Sequence, residues 1–198
     1  MNKRKFLASG LTICLGAASG KMSALEFYTM PSARKWAVLY STWCGSARDA
    51  GVWISEGMGG IAQVYDVREN PDLSSFEFLV IGGAIRAGKV SAELQNYIAK
   101  HKDALRPKLK GLFAVCGNRM QPVNQQQKAD LIDNHLAALF GAGTDAGIPG
   151  KAFLGRITYS LMDSESRKTL QGFNMPEYDN LKRAECMDFG KEILSSLR

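Results

Sequence analysis

Apolar residues in this chain fall in short runs separated by stretches of helical spacing. Trp36-Ala37-Val38-Leu39-Tyr40 is an uninterrupted apolar run stopped by Ser41-Thr42, which predicts a buried strand over 36–40. Ala47, Ala50, Trp53 and Ile54 recur at the interval of one helix face, and Gly59-Gly60 ends a helix predicted over 46–58. Residues 61–67 alternate like a second strand, and 76–81 form a third, nearly continuous apolar run closed by Gly82-Gly83. Leu94, Tyr97 and Ile98 mark a helix over 91–102, and 111–115 a fourth strand ended by Cys116-Gly117-Asn118. Leu131, Leu136 and Phe140 suggest a helix over 125–140, and residues 152–159 a fifth strand. Leu181, Ala184, Met187, Phe189, Ile193 and Leu194 suit a terminal helix over 179–197, while 160–176 reads as irregular.

Five strands alternating with helices predict an α/β fold, a parallel sheet covered on both faces. Ligands of such sheets bind beyond the carboxyl ends of the strands, where the strand order reverses. The first strand end is the richest in small and polar residues: Ser41-Thr42-Trp43-Cys44-Gly45-Ser46-Ala47 leads straight into a helix. Hydroxyls and unpaired N–H groups at a helix start attract an anion, because the donors and the helix dipole both point outward. The loop matches neither GxxxxGK[ST] nor GxGxxG, and one glycine among hydroxyls suits a single phosphate. An ordinary capped helix start is the plainer alternative.

Composition narrows the class. The 198 residues are 45% apolar and 22% charged, which fits one globular domain and excludes disorder. Three basic residues, Lys3, Arg4 and Lys5, open the chain; a weakly apolar stretch follows, and Ala17-Ala18-Ser19-Gly20 closes it. This is the layout of an export signal over 1–20, with a lead over 21–35 and the folded domain over 36–198; a cytoplasmic protein with an amphipathic N-terminus is the alternative. Asn2-Lys3-Arg4-Lys5-Phe6-Leu7 resembles a twin-arginine motif with Lys3 at the first arginine, which points to a periplasmic destination. Cys14 lacks the small preceding residue of a lipid-anchor site, since Ile13 stands there. Residues 1–20 hold three of the 25 basic residues and none of the 19 acidic ones, so the remainder is too weakly basic to imply nucleic acid. No apolar run is long enough to span a bilayer, so no integral membrane segment is expected in the mature protein.

The chemistry-bearing residues are few. Two histidines, His101 and His135, and no CxxC pair give no metal site. His101 suits a helix end, where it complements the dipole, and His135 a helix surface. Trp43-Cys44-Gly45 begins like a thioredoxin motif, but Ala47 stands where the second cysteine belongs. Cys44 and Cys116 both end strands on the ligand side and are either a disulfide or two small buried thiols; Cys186 belongs to the core of the last helix. No Ser-His-Asp set assembles from the spacing.

Leu39-Tyr40-Ser41-Thr42-x-x-Gly45 resembles the phosphate loop of flavodoxins. Residues 79–89, Leu-Val-Ile-Gly-Gly-Ala-Ile-Arg-Ala-Gly-Lys, are similar to the third-strand loop of the flavodoxin-like family that includes menaquinone-dependent protoporphyrinogen oxidase. Residues 94–101 and Phe189-Gly190-Lys191-Glu192-Ile193 fit that family's helices. The resemblance implies a three-layer sandwich with strand order 2-1-3-4-5 and non-covalent FMN. It would place the phosphate on Ser41, Thr42, Gly45, Ser46 and the backbone through Ala47, with Trp43 and Cys44 in the same loop. The flavin ring would lie between Gly83, Ala84, Ile85, Arg86 and Gly88 on one side and Cys116, Gly117, Asn118 and Arg119 on the other. Arg86, Lys89 and Arg119 would favour an anionic reduced flavin and raise its potential. It also implies electron transfer or oxidoreduction, with a redox protein, a quinone or a small molecule as partner. Two departures stand out. Ala47 replaces the usual last threonine of the loop, which leaves open a partner-binding module that has lost FMN. The late insertion, 163–174, is short and mixed in charge, unlike the long basic one of the oxidase.

Overall fold

The computed structural model describes residues 32–86, 88–116, 124, 126–127, 130–141 and 147–197. Five strands, β1 (Trp36–Ser41), β2 (Ala62–Asp66), β3 (Phe78–Ala84), β4 (Leu109–Cys116) and β5 (Gly150–Leu154), form one parallel sheet in the order β2-β1-β3-β4-β5. Helices α1 (Ser46–Gly57) and α2 (Ala92–Leu105) follow β1 and β3. Both sheet faces are apolar, as the nearly continuous runs require. In β1, Ala37 and Leu39 enter the core on the α2 side with Leu79, Ile81, Leu94 and Ile98. Trp36, Val38 and Tyr40 enter the opposite core with Ile54, Val80, Phe113 and Phe189.

The C-terminal half departs from the spacing. Of the described residues in 125–140, 126–127 are helical, Asp130–Asn134 is a π turn and Ala137–Phe140 a 3-10 turn. Leu131, Ile132, Leu136 and Phe140 bury in the core on the α2 side. β5 starts two residues early and stops at Leu154. Beyond Gly155 the chain leaves the sheet in an excursion, where the spacing predicted more of the fifth strand to 159 and irregular chain over 160–176. It contains β6 (Arg156–Ile157), helix α3 (Ser164–Gly172) and β7 (Tyr178–Asp179), with β6 and β7 paired antiparallel. The terminal helix α4 (Arg183–Ser195) begins later than expected, because Tyr178 and Asp179 are used in that pairing.

α4 packs on α1 at backbone distance. A Cβ on Gly57 would come within 2.0 Å of the Met187 carbonyl oxygen, and one on Gly190 within 2.2 Å of the Ile54 carbonyl oxygen. Glycine at both positions is what lets the two helices close to this distance.

Candidate functional site

The parallel register sets Ser41 of β1 beside Gly83 of β3 and Tyr40 beside Asp66 of β2, so three strand ends meet at one edge. From Ser41 the chain turns through Thr42, Trp43 and Cys44 to Gly45, whose φ of 82° is left-handed. Glycine adopts that conformation at no steric cost, and the Asp49 N–H donates to its carbonyl at 3.0 Å to start α1. No side chain caps the first turn, so the N–H groups there face outward.

A cleft of about 330 Å³ opens beside this turn. Ser41, Thr42 and Trp43 form one wall, Val67 and Arg68 after β2 a second, and Ser91 and Glu93 at the start of α2 a third. Ser160, Leu161, Met162 and Asp163 of the excursion form the fourth. The Ser41 Oγ and Thr42 Oγ1 atoms are buried without a hydrogen-bond partner. An unpaired buried hydroxyl costs about 1–3 kcal/mol, so a bound acceptor would relieve both. Gly83 keeps Ser41 in place: a Cβ there would lie 2.4 Å from the Ser41 Oγ.

The remaining loop residues turn elsewhere. The Cys44 thiol donates to the Arg156 carbonyl at 3.3 Å and lies 3.8 Å from the Ser46 hydroxyl. Ser46 and Ala47 are buried, and Ala47 packs with Ala50 and Val38 under the sheet, so this segment offers backbone N–H groups rather than side chains. The open choice for Cys44 and Cys116 resolves as two buried thiols, with no disulfide between them. Cys116 packs in the core on the α2 side.

On β3's side, Ala84 and Ile85 are buried, and the Ile85 N–H donates to the Val115 carbonyl at 2.8 Å. Arg86 and Lys89 close a tight turn through mutual backbone bonds of 2.9 and 3.0 Å, with Gly88 at a φ of 72°. The Arg86 guanidinium crosses to the excursion and donates from Nη1 to Ser166 Oγ at 2.5 Å. Gly117, Asn118 and Arg119 lie outside the described residues, as does Ala87.

Electrostatics around the cleft are paired. Arg68 holds Asp66 with Nε on Oδ1 at 2.9 Å and Nη2 on Oδ2 at 2.5 Å. Burial raises the Tyr40 hydroxyl well above the ordinary tyrosine range, with Asp66 and Glu69 adding to the shift, so the phenol stays neutral. His101 stacks on Tyr97 at 4.7 Å, and His135 lies 3.7 Å from Asp130. Among the described residues no group of three or more possible ligands could hold a metal, and no helix is long and apolar enough to cross a membrane.

Arg68, Ser91, Glu93 and the whole excursion wall were not anticipated. For the wall, one signal was present: Asp163 precedes Ser-Glu-Ser, an N-cap with an acidic first turn, and Asp163 does cap α3 at Ser166.

The chain resembles, in structure, the metal-soaked Flv1 flavodiiron core from Synechocystis sp. PCC6803 (TM-score 0.56, 12% identity), covering 86% of this chain and 38% of that one. It is similar to oxidised flavodoxin 1 from Bacillus cereus (TM-score 0.52, 13% identity), over 81% of this chain and 97% of that one. A short-chain flavodoxin associated with a non-canonical PDU bacterial microcompartment is alike at a TM-score of 0.52 and 12% identity, over 83% and 99%. At these identities the likeness is one of fold, and the chain spans little more than a third of the flavodiiron core. No curated protein matches the chain in sequence. A family model described as a flavodoxin domain matches residues 37–179, which is most of the folded part, and the chain therefore belongs to the flavodoxin family.

Proposed function

We propose that this chain is a flavodoxin-like redox protein that holds FMN non-covalently and passes electrons to a partner. The observation that carries the reading is the pair of buried, unpartnered hydroxyls on Ser41 and Thr42, at the uncapped start of α1 and on the wall of a cleft. A phosphate is the acceptor that such a site fits, through hydroxyl donors, outward N–H groups and the helix dipole acting together. FMN would supply the redox chemistry, while the protein supplies binding, orientation and electrostatics.

Each element has a role in that arrangement. Ser41 and Thr42 donate to the phosphate, Gly45 presents the first-turn N–H groups, and the backbone through Ala47 completes the cradle. Gly83, Ala84, Ile85 and Gly88 are assigned to one side of the ring, with Lys89 exposed beside them. The other wall is assigned to Cys116, Gly117, Asn118 and Arg119. Ala47 removes one hydroxyl donor from the cradle, but its position in the core leaves its N–H in the same turn.

The finer reading is an oxidoreductase resembling menaquinone-dependent protoporphyrinogen oxidase, acting on a quinone or small molecule. The Val80-Ile81-Gly82 run and Arg86 support it, and the short excursion argues against a tetrapyrrole. We assign residues 1–20 as an export signal, on their basic start and small-residue end, with the domain working in the cell envelope. A second reading, a partner-binding module without flavin, is favoured by Ala47 and by Leu161, which stands 3.7 Å from the position of a Gly45 Cβ. Purified protein decides between them: a yellow colour, with a flavin band near ~450 nm and FMN released on denaturation, supports the first. Colourless protein that takes up no added FMN supports the second.

A further inference from the structure

The excursion crosses the cleft and is fixed at both ends. At its root the Asn180 N–H donates to the Gly155 carbonyl at 3.1 Å, and β6 pairs with β7. Arg156 joins Asp49 of α1 at 2.6 Å and Asp179 at 3.1 Å. At its tip, Ser166 is 4% exposed, although most of α3 faces solvent. Its hydroxyl accepts from Arg86 Nη1 at 2.5 Å and donates to Asp163 Oδ2, and its N–H donates to Asp163 Oδ1 at 2.8 Å. A hydroxyl set between a guanidinium and a carboxylate makes two charge-assisted bonds. Between root and tip, Ser160 to Asp163 wall the cleft, and Leu161 stands over the Gly45 turn.

The hydroxyls of Ser41 and Thr42 are closed off from solvent in this arrangement. A phosphate reaches them only when some part of the wall moves. Two walls are strands or their direct extensions, and a third is the start of α2, all anchored by backbone ladders or helix bonds. The fourth is held across the cleft at its tip by side chains.

We propose that the excursion is a lid over the cofactor cleft, and that Arg86, Ser166 and Asp163 are its clasp. Opening of the clasp sets the rate at which FMN enters and leaves. The proposal rests on the FMN reading. Arg86 acts here as a positioning residue, through the lid rather than by touching the ring.

The test compares the wild-type chain with Ser166→Ala, as apoprotein and as FMN complex. In the apoprotein, trypsin cleavage after Arg167 and Lys168 in α3 should run at least several-fold faster in the variant. In the complex, FMN association and release should both quicken by about tenfold, leaving the dissociation constant nearly unchanged. A lost binding contact would quicken release alone, and that result would overturn the lid. Arg86→Gln cuts the clasp from its exposed side and keeps the test open should Ser166→Ala fold poorly. The double variant should be cleaved no faster than either single one. Unchanged cleavage in both single variants overturns the clasp whatever the cleft binds, whereas a wild-type chain that takes up no FMN overturns the cofactor reading.

Discussion

Arg156 Nη1 donates to Asp49 Oδ2 at 2.6 Å, tying the root of the excursion to the first turn of α1. The Arg156 side chain is 11% exposed and that of Asp49 20%. Asp49 also accepts from the more exposed Arg48, Nε on Oδ1 at 3.0 Å, so cutting the Arg156 pair removes the more buried of its two cations. Arg156→Ala is expected to lower stability by about 1–3 kcal/mol. Denaturant titration reads this as a lower midpoint; a midpoint equal to wild type would mean that Arg48 and solvent satisfy Asp49 without Arg156.

The phosphate site makes a sharper demand. Thr42→Glu puts a carboxylate where an anion is to sit, adding both repulsion and bulk. Loss of FMN from the purified variant, with circular dichroism unchanged, is the expected result. Stoichiometric FMN at unchanged affinity would place the phosphate elsewhere.

The contact of α1 with α4 tolerates no methyl group. Gly57→Ala is expected to cost about 1–3 kcal/mol through overpacking, since the atom it would meet is backbone and cannot rotate away. Thermal unfolding should show a lower midpoint, and a variant as stable as wild type would show that α4 slides freely on α1.

Burial pushes the Cys186 thiol up to about 12 from its ordinary 9.0. The folded chain therefore keeps this proton where the unfolded chain has lost it. Its contribution to stability is complete below about pH 9 and disappears as the pH rises towards 12. Cys186→Ala should flatten that part of the stability profile. Iodoacetamide at pH 8 should leave Cys186 unlabelled in the native protein, because the thiolate is the nucleophile; labelling as fast as in denaturant would contradict the burial.

Export is tested apart from chemistry. A flavodoxin-like domain holds its cofactor only when folded, so folded export is the simpler route for a loaded protein. Replacing Lys3 and Arg4 with glutamine should leave flavin-loaded protein in the cytoplasm. Continued efficient export would remove the twin-arginine route, and a mature N-terminus still at Met1 would remove the export signal itself.

Strands β1 to β4 and helices α1 and α2 were legible because each is a run of one period bounded by glycine or a hydroxyl-rich turn. The turn from Ser41 to Ser46 was legible for the same reason: Ser41-Thr42 ends one period and Ser46 begins another. The excursion was not. Its side chains answer to partners far along the chain, Arg156 to Asp49 and Ser166 to Arg86, and no local spacing encodes such pairings. Over 130–140 the apolar positions Leu131, Leu136 and Phe140 were read correctly as buried, but their spacing does not tell a π or 3-10 turn from an α-helix. The bond from Arg86 to Ser166 was not anticipated either, since the residue type gives no hint of a serine eighty positions later.

The glycine contact between α1 and α4 bears on how the protein is made. α4 follows every strand of the sheet in the chain, so it leaves the ribosome after them. Until it arrives, α1 has an apolar flank open to water and nothing to rest against at Gly57. The turn at Gly45 is carried on the front of that same helix, so it reaches its final seat only after α4 has been made and has docked. A nascent chain stalled before Arg183 should therefore emerge with the Gly45 turn unseated.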